Sequence, residues 1–147
     1  MKSLFETEAY NQIKHRLNQF DESSQPTWGK MTVGQMAHHC QVALNIALQK
    51  EDYGLKPNWL INFLFKKSMY NDKLWKPNMP TARAFKVSQD KDFITEKQVL
   101  ENLIDAFYQQ KDKEDWHDHP SFGKLTKEQW GQMQYKHLDH HLRQFGV

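Results

Sequence analysis

The sequence predicts an all-α protein: a four-helix bundle with a long crossover between its second and third helices. Three observations lead there. Ser or Thr precedes Glu or Gln by three positions at Ser3/Glu6, Thr32/Gln35, Thr95/Gln98 and Thr126/Gln129, the capping-box signature of a helix start. Behind each box apolar residues recur at helical spacing, while strand patterning is almost absent. The connection spanning residues 51–92 is awkward as a bare loop and suits one crossover laid against a bundle.

The first helix carries Phe5, Ala9, Ile13, Leu17 and Phe20 and stops at DESSQP. The second runs from Thr32 to about Lys50, where Glu51-Asp52-Tyr53-Gly54 ends it. The crossover holds a short aromatic helix, Trp59–Tyr70, then a Pro-rich stretch in which Ala84–Val87 is a weak strand candidate. The third helix carries Phe93, Val99, Leu100, Leu103, Ile104 and Phe107 before the charged KDKED. The fourth spans Thr126 to Phe145, with Gly146 as its stop.

Composition narrows the function classes. A chain of 147 residues suits a single domain, 1–147. Its mean hydropathy of -0.89 is low, but 13% of residues are aromatic, so a few large side chains build the core and disorder is excluded. The net charge of +2 is interspersed, with no basic block longer than Lys66-Lys67, so no nucleic-acid partner is expected. Cys40, the single cysteine, fits a reducing compartment. No signal-like run opens the chain, and WLINFLF is too short to span a bilayer. A cytoplasmic protein with no membrane partner is the expectation.

Histidine stands out, with 8 residues in clusters. On the helical wheel of the fourth helix Gln132, Lys136, Asp139 and Arg143 define a wet face. Trp130, Gln134, His137, His141 and Phe145 fall opposite, with His140 on the flank. His137 and His141, one turn apart on the inward side, have the spacing that brings two ring nitrogens to one metal ion. The alternative is a pair of ordinary core histidines with hydrogen-bond partners. On the second helix His38, Gln41, Asn45 and Gln49 form a polar face, leaving His39 as the histidine that faces the bundle. Three inward histidines on two helices leave coordination positions open, as catalytic sites do. Paired Glu-x-x-His motifs, HExxH and zinc-ribbon cysteines are all missing.

The capped helix TVGQMAHH, with a histidine seven residues after its Thr, and the final HLDHHLRQ of HxxxHxxQ form resemble the DinB/YfiT-like superfamily of metal-binding four-helix bundles. The strings WGKMTVGQMAHHC, PTARAFKV and HPSFGKLTKEQWGQMQYKHLDHHLRQFG resemble one bacterial branch of it, a domain of unknown function. The resemblance implies a metal triad of His39, His137 and His141 holding zinc, nickel, iron or manganese. It also implies a homodimer, no DNA binding, and thiol-dependent transferases and isomerases among the relatives.

Two functions follow as expectations. One is a metal-dependent enzyme, a hydrolase or thiol S-transferase, whose ion activates water or a low-molecular-weight thiol as a small-molecule substrate. The other is a non-catalytic metal- or small-ligand-binding bundle, dimeric in its turn. His119, opening HPSFG, reads either as a catalytic proton shuttle at the pocket mouth or as a turn residue fixed by Pro120 and Gly123. Gln144 reads either as a hydrogen-bond partner of the site or as a polar flank. Cys40 reads as a small buried filler. Trp28, Trp75, Trp116 and Trp130 read as anchors, some lining a pocket above the metal, and His15 and His117 as surface residues.

Overall fold

The computed structural model describes residues 1–147 and is all-helical. Five α-helices, α1 (Thr7–Leu17), α2 (Val33–Ala47), α3 (Trp59–Tyr70), α4 (Phe93–Tyr108) and α5 (Lys127–Gln144), follow one another with no strand. Helix α2 packs most extensively on α4, and α5 lies against α1, α2 and α3. The expected aromatic helix of the crossover is α3, with the boundaries the sequence gives it. The strand candidate at Ala84–Val87 is not formed; Arg83–Phe85 is instead one 3-10 turn. A four-residue segment, Ala-Phe-Lys-Val, with no neighbouring strand has no ladder to join.

Two of the four capping boxes form. Thr32 Oγ1 accepts from Gln35 N while Gln35 reaches back to Thr32 N, and Thr126 and Gln129 do the same. The other two do not. Helix α4 starts earlier than expected, because Asp92 accepts from Thr95 N at 2.8 Å and so places Thr95 inside the first turn. At the N-terminus Ser3 is buried rather than capping; Glu6 holds the cap position without a side-chain bond. The cause is a close approach. Leu4 N donates to Gly131 O, and a Cβ on Gly131 would collide with Ser3 Oγ.

The core is one cluster. Ala9, Ile13 and Leu17 of α1 stand at four-residue spacing on the side that meets α4 and α5, in one cluster with Leu100, Ile104 and Phe107 of α4, Trp130 and Leu138 of α5, and Met36 and Cys40 of α2. Gln132, Asp139 and Arg143 are only half-buried and Lys136 is 1% exposed, so the expected wet face of α5 is walled over. Arg16 Nη1 pairs with Asp139 at 2.7 Å, and Arg143 Nε donates to the same carboxylate at 2.9 Å. Lys136 Nζ donates to Ser68 O, Asn71 O and Asn71 Oδ1 at 2.7–2.9 Å, fastening the end of α3 to α5. A wheel drawn for a helix with one solvent side misreads one surrounded by α1, α2 and α3. The middle of the polar face of α2 is likewise covered, with Gln41 donating to Glu96 and Asn45 to the Tyr53 hydroxyl, while Gln49 stays exposed.

Candidate metal centre

The Thr32 cap fixes where α2 begins, and the helix turns His39 inward. On α5, His137 and His141 point the same way, one turn apart. All three rings are buried, and one nitrogen from each lies within 4.8 Å of the others. His39 Nε2 stands 3.0 Å from His137 Nε2, and the His39 and His141 ring centroids are 4.5 Å apart. The three histidines that the wheels turned inward therefore do converge.

Hydrogen bonds aim the rings. His39 Nδ1 faces the Phe85 carbonyl at 2.7 Å, and His141 Nδ1 faces Gln144 Oε1 at 2.8 Å. Carbonyl oxygens only accept, so each Nδ1 carries the proton and donates, which leaves the lone pair on Nε2. Gln144 is itself held, its Nε2 donating to the Trp28 carbonyl at 2.8 Å. Its place beside the site, rather than on a polar flank, settles the two readings of that residue.

Burial pushes the His39 imidazole below the usual histidine range and those of His137 and His141 well below it. Neighbouring imidazoles push each the same way, while the Phe85 and Gln144 bonds oppose. The rings are neutral near pH 7, the form that ligates.

As a donor set the three fit a divalent transition metal. His137 Nδ1 is buried without a protein partner, while its Nε2 faces the His39 lone pair. A shared proton would satisfy that pair of Nε2 atoms alone; a cation among the three rings would engage all three histidines together, with the His137 Nδ1 proton left without a protein acceptor. The 3.0 Å separation also matches the ~3.0–3.4 Å expected between two nitrogens each at roughly 2.0–2.1 Å from one ion. The donor group contains no carboxylate.

Aromatic rings wall the cluster. Trp75 and Phe85 lie against His137 at 6.0 and 6.3 Å between centroids, and Phe85 also meets His39. Trp28 and Trp75 flank His140, which is buried beside the cluster and outside the donor group; burial pushes it down to about 4. Of the four tryptophans weighed from sequence, then, two stand at the site. Trp116 and Trp130 meet at a tilt, 5.7 Å apart, at the other end of the core.

The remaining candidates lie elsewhere. His38 is half-buried rather than fully solvated and bonds Glu96 Oε2 through Nδ1 at 3.0 Å. His119 does not join the cluster. Its Nδ1 accepts from Ser121 N and Phe122 N, its backbone pairs with Gly123, and its ring packs on Trp130, near the opposite end of α5 from His141. This is the turn reading. Cys40 is buried beside Met36, and burial pushes its thiol up, which suits a filler. His15 is exposed, whereas His117 is half-buried, its Nε2 at 3.2 Å from the Ile46 carbonyl. The sequence reading missed the Phe85 carbonyl, because a backbone acceptor leaves no trace in residue type. Its only signal was the PTARAFKV string around it.

Fold and site together define a helical protein with a candidate three-histidine metal centre at the junction of α2 and α5. The chain belongs to the family described as "Protein of unknown function (DUF1569)", which covers residues 2–146. No curated protein and no solved structure matches it.

Proposed function

We propose that the protein is a DinB-like four-helix bundle in which His39, His137 and His141 hold one divalent ion, zinc, nickel, iron or manganese, for an enzymatic role. The observation that carries this reading is the convergence of three neutral imidazoles, two with Nδ1 already committed to fixed acceptors. Helices α1, α2, α4 and α5 are the four of the bundle, and residues 51–92, with α3, are its crossover. A divalent ion with open positions lowers the pKa of a bound water or low-molecular-weight thiol, which suits hydrolysis or thiol transfer. The chain's own residues supply the rest. Phe85 O and Gln144 fix ring orientation, and Trp28, Trp75 and Phe85 keep the surroundings apolar.

A second reading, a non-catalytic metal- or ligand-binding bundle, gains support from His119, the one proton shuttle weighed from sequence, being spent on a turn. The test is elemental analysis of protein purified without an affinity tag, on wild type and His141→Ala together. About one transition metal per chain, absent from the variant, is the expected result. A wild type that neither carries metal nor takes up added zinc, nickel or manganese would end both forms of the proposal. Thiol-transfer and hydrolysis screens with the loaded protein then separate enzyme from binder.

A further inference from the structure

Helix α3 has no buried residue, although its first seven positions read WLINFLF. Trp59 and Phe63 are each 80% exposed, and Leu60, Ile61 and Leu64 are exposed beside them, with Leu74 following after the helix. The two aromatics alone present on the order of 300 Å² of apolar surface. A contiguous patch of this size on a chain marks something that covers it. Polar side chains hold the first half of α3 to the body, Asn62 Nδ2 donating to Phe122 O and Lys66 Nζ to Lys124 O, while Met69 and Tyr70 pack its last turn on the core. The helix thus lies on the protein with its apolar arc turned outward.

The charges around that arc are mostly of one sign. Five lysines (Lys56, Lys66, Lys67, Lys73 and Lys76) stand against one acid, Asp72, between residues 55 and 80, in a chain whose whole net charge is +2. Asp72 is already paired with the N-terminal amine of Met1. Lys67 falls on the wheel between Phe63 and Leu64, inside the apolar arc, where a long stem lets the ammonium reach outward past the rings. A second copy brought face to face would set lysines against lysines. An anionic lipid surface instead meets cations with anions and takes Trp, Phe and Leu side chains at the headgroup boundary.

We infer that α3 and the lysines around it dock the protein on the surface of an anionic phospholipid bilayer, as a helix lying in the interface. No helix is long and apolar enough to cross a membrane, and a helix lying in the surface needs no such length. The sequence expectation of no membrane partner rested on the lack of a signal-like or spanning run, and neither bears on a helix lying in the surface. The proposal owes nothing to the histidines.

The experiment is cosedimentation of the full chain with vesicles of phosphatidylcholine alone and with one third phosphatidylglycerol. Binding to the anionic vesicles is expected to be about tenfold tighter or more, and to fall as salt is raised from 0.1 to 0.5 M. Phe63→Ser and the pair Lys67→Glu/Lys73→Glu, both at exposed positions, are each expected to lower it about tenfold, with unchanged circular dichroism. Equal binding to both vesicle types would overturn the electrostatic half of the proposal. No vesicle binding, together with a dimer in sedimentation velocity that Phe63→Ser dissociates, would overturn it entirely and give the face to a second copy.

Discussion

Replacing Gln144 with Leu is expected to weaken metal binding 10–100-fold while leaving the fold intact. Gln144 is 4% exposed, and its Oε1 takes the His141 Nδ1 proton at 2.8 Å. With an ion on Nε2 the proton must remain on Nδ1, where the leucine offers no acceptor; a buried unsatisfied donor costs about 1–3 kcal/mol. Without an ion the ring is free to move its proton to Nε2, toward the other two histidines, and avoid most of that penalty. The difference falls on the metal-bound state, and about 1.4–2.7 kcal/mol corresponds to 10–100-fold. The lost bond to the Trp28 carbonyl weakens both states alike and cancels. Competition for zinc against a chromophoric chelator measures the affinity, and urea unfolding of the metal-free proteins checks the fold. An affinity within threefold of wild type, on a folded variant, would refute the claim that Gln144 sets the tautomer of a ligand.

Other outcomes follow from the same structure. His137→Ala is expected to lose bound metal, and His38→Ala, whose ring pairs with Glu96 instead, to keep it; metal-to-protein ratios decide. Gly34→Ala is expected to destabilise by about 1–3 kcal/mol in urea unfolding, because a Cβ there collides with the Lys91 carbonyl and stands 3.3 Å from Phe93 N, and backbone gives way poorly. Acid should unfold the protein partly through His119, which burial pushes down to about 4. Its folded pKa is depressed, so the unfolded chain binds the extra proton between about 6.5 and 4, and stability falls as pH drops through that window by about 3 kcal/mol. His119→Asn keeps an acceptor for Ser121 N and Phe122 N, and its stability should fall less steeply over that window by about one proton; an unchanged slope would sink the assignment.

Helix existence and the histidine phase were legible because both rest on periodicity. His39 faces inward and His38 toward Glu96 for the same reason: adjacent residues differ by about 100° on a helix. Environment was not legible. Lys136 and Asp139 look like surface residues by type, and only the docking of α3 and Arg16 against them makes a walled helix. The boxes at Ser3 and Thr95 failed by competition: Asp92 takes the Thr95 amide, and the approach to Gly131 takes Ser3. Phe85 contributes through its carbonyl, which every residue has, so its role waits on the 3-10 turn that presents it.

From Trp130 to Phe145 no side chain of α5 is exposed. Its amide protons should be among the slowest in the molecule to exchange with deuterium, opening only when the whole chain unfolds. His137 and His141 ride on that element, whereas the carbonyl that orients His39 sits in the half-buried turn at Phe85. Two ligand rings thus ride on a helix with no exposed side chain from Trp130 onward, while the third, carried by the buried α2, takes its orientation from a half-buried turn. Exchange into and out of the site would run through the Phe85 side, with the two α5 histidines as its fixed wall.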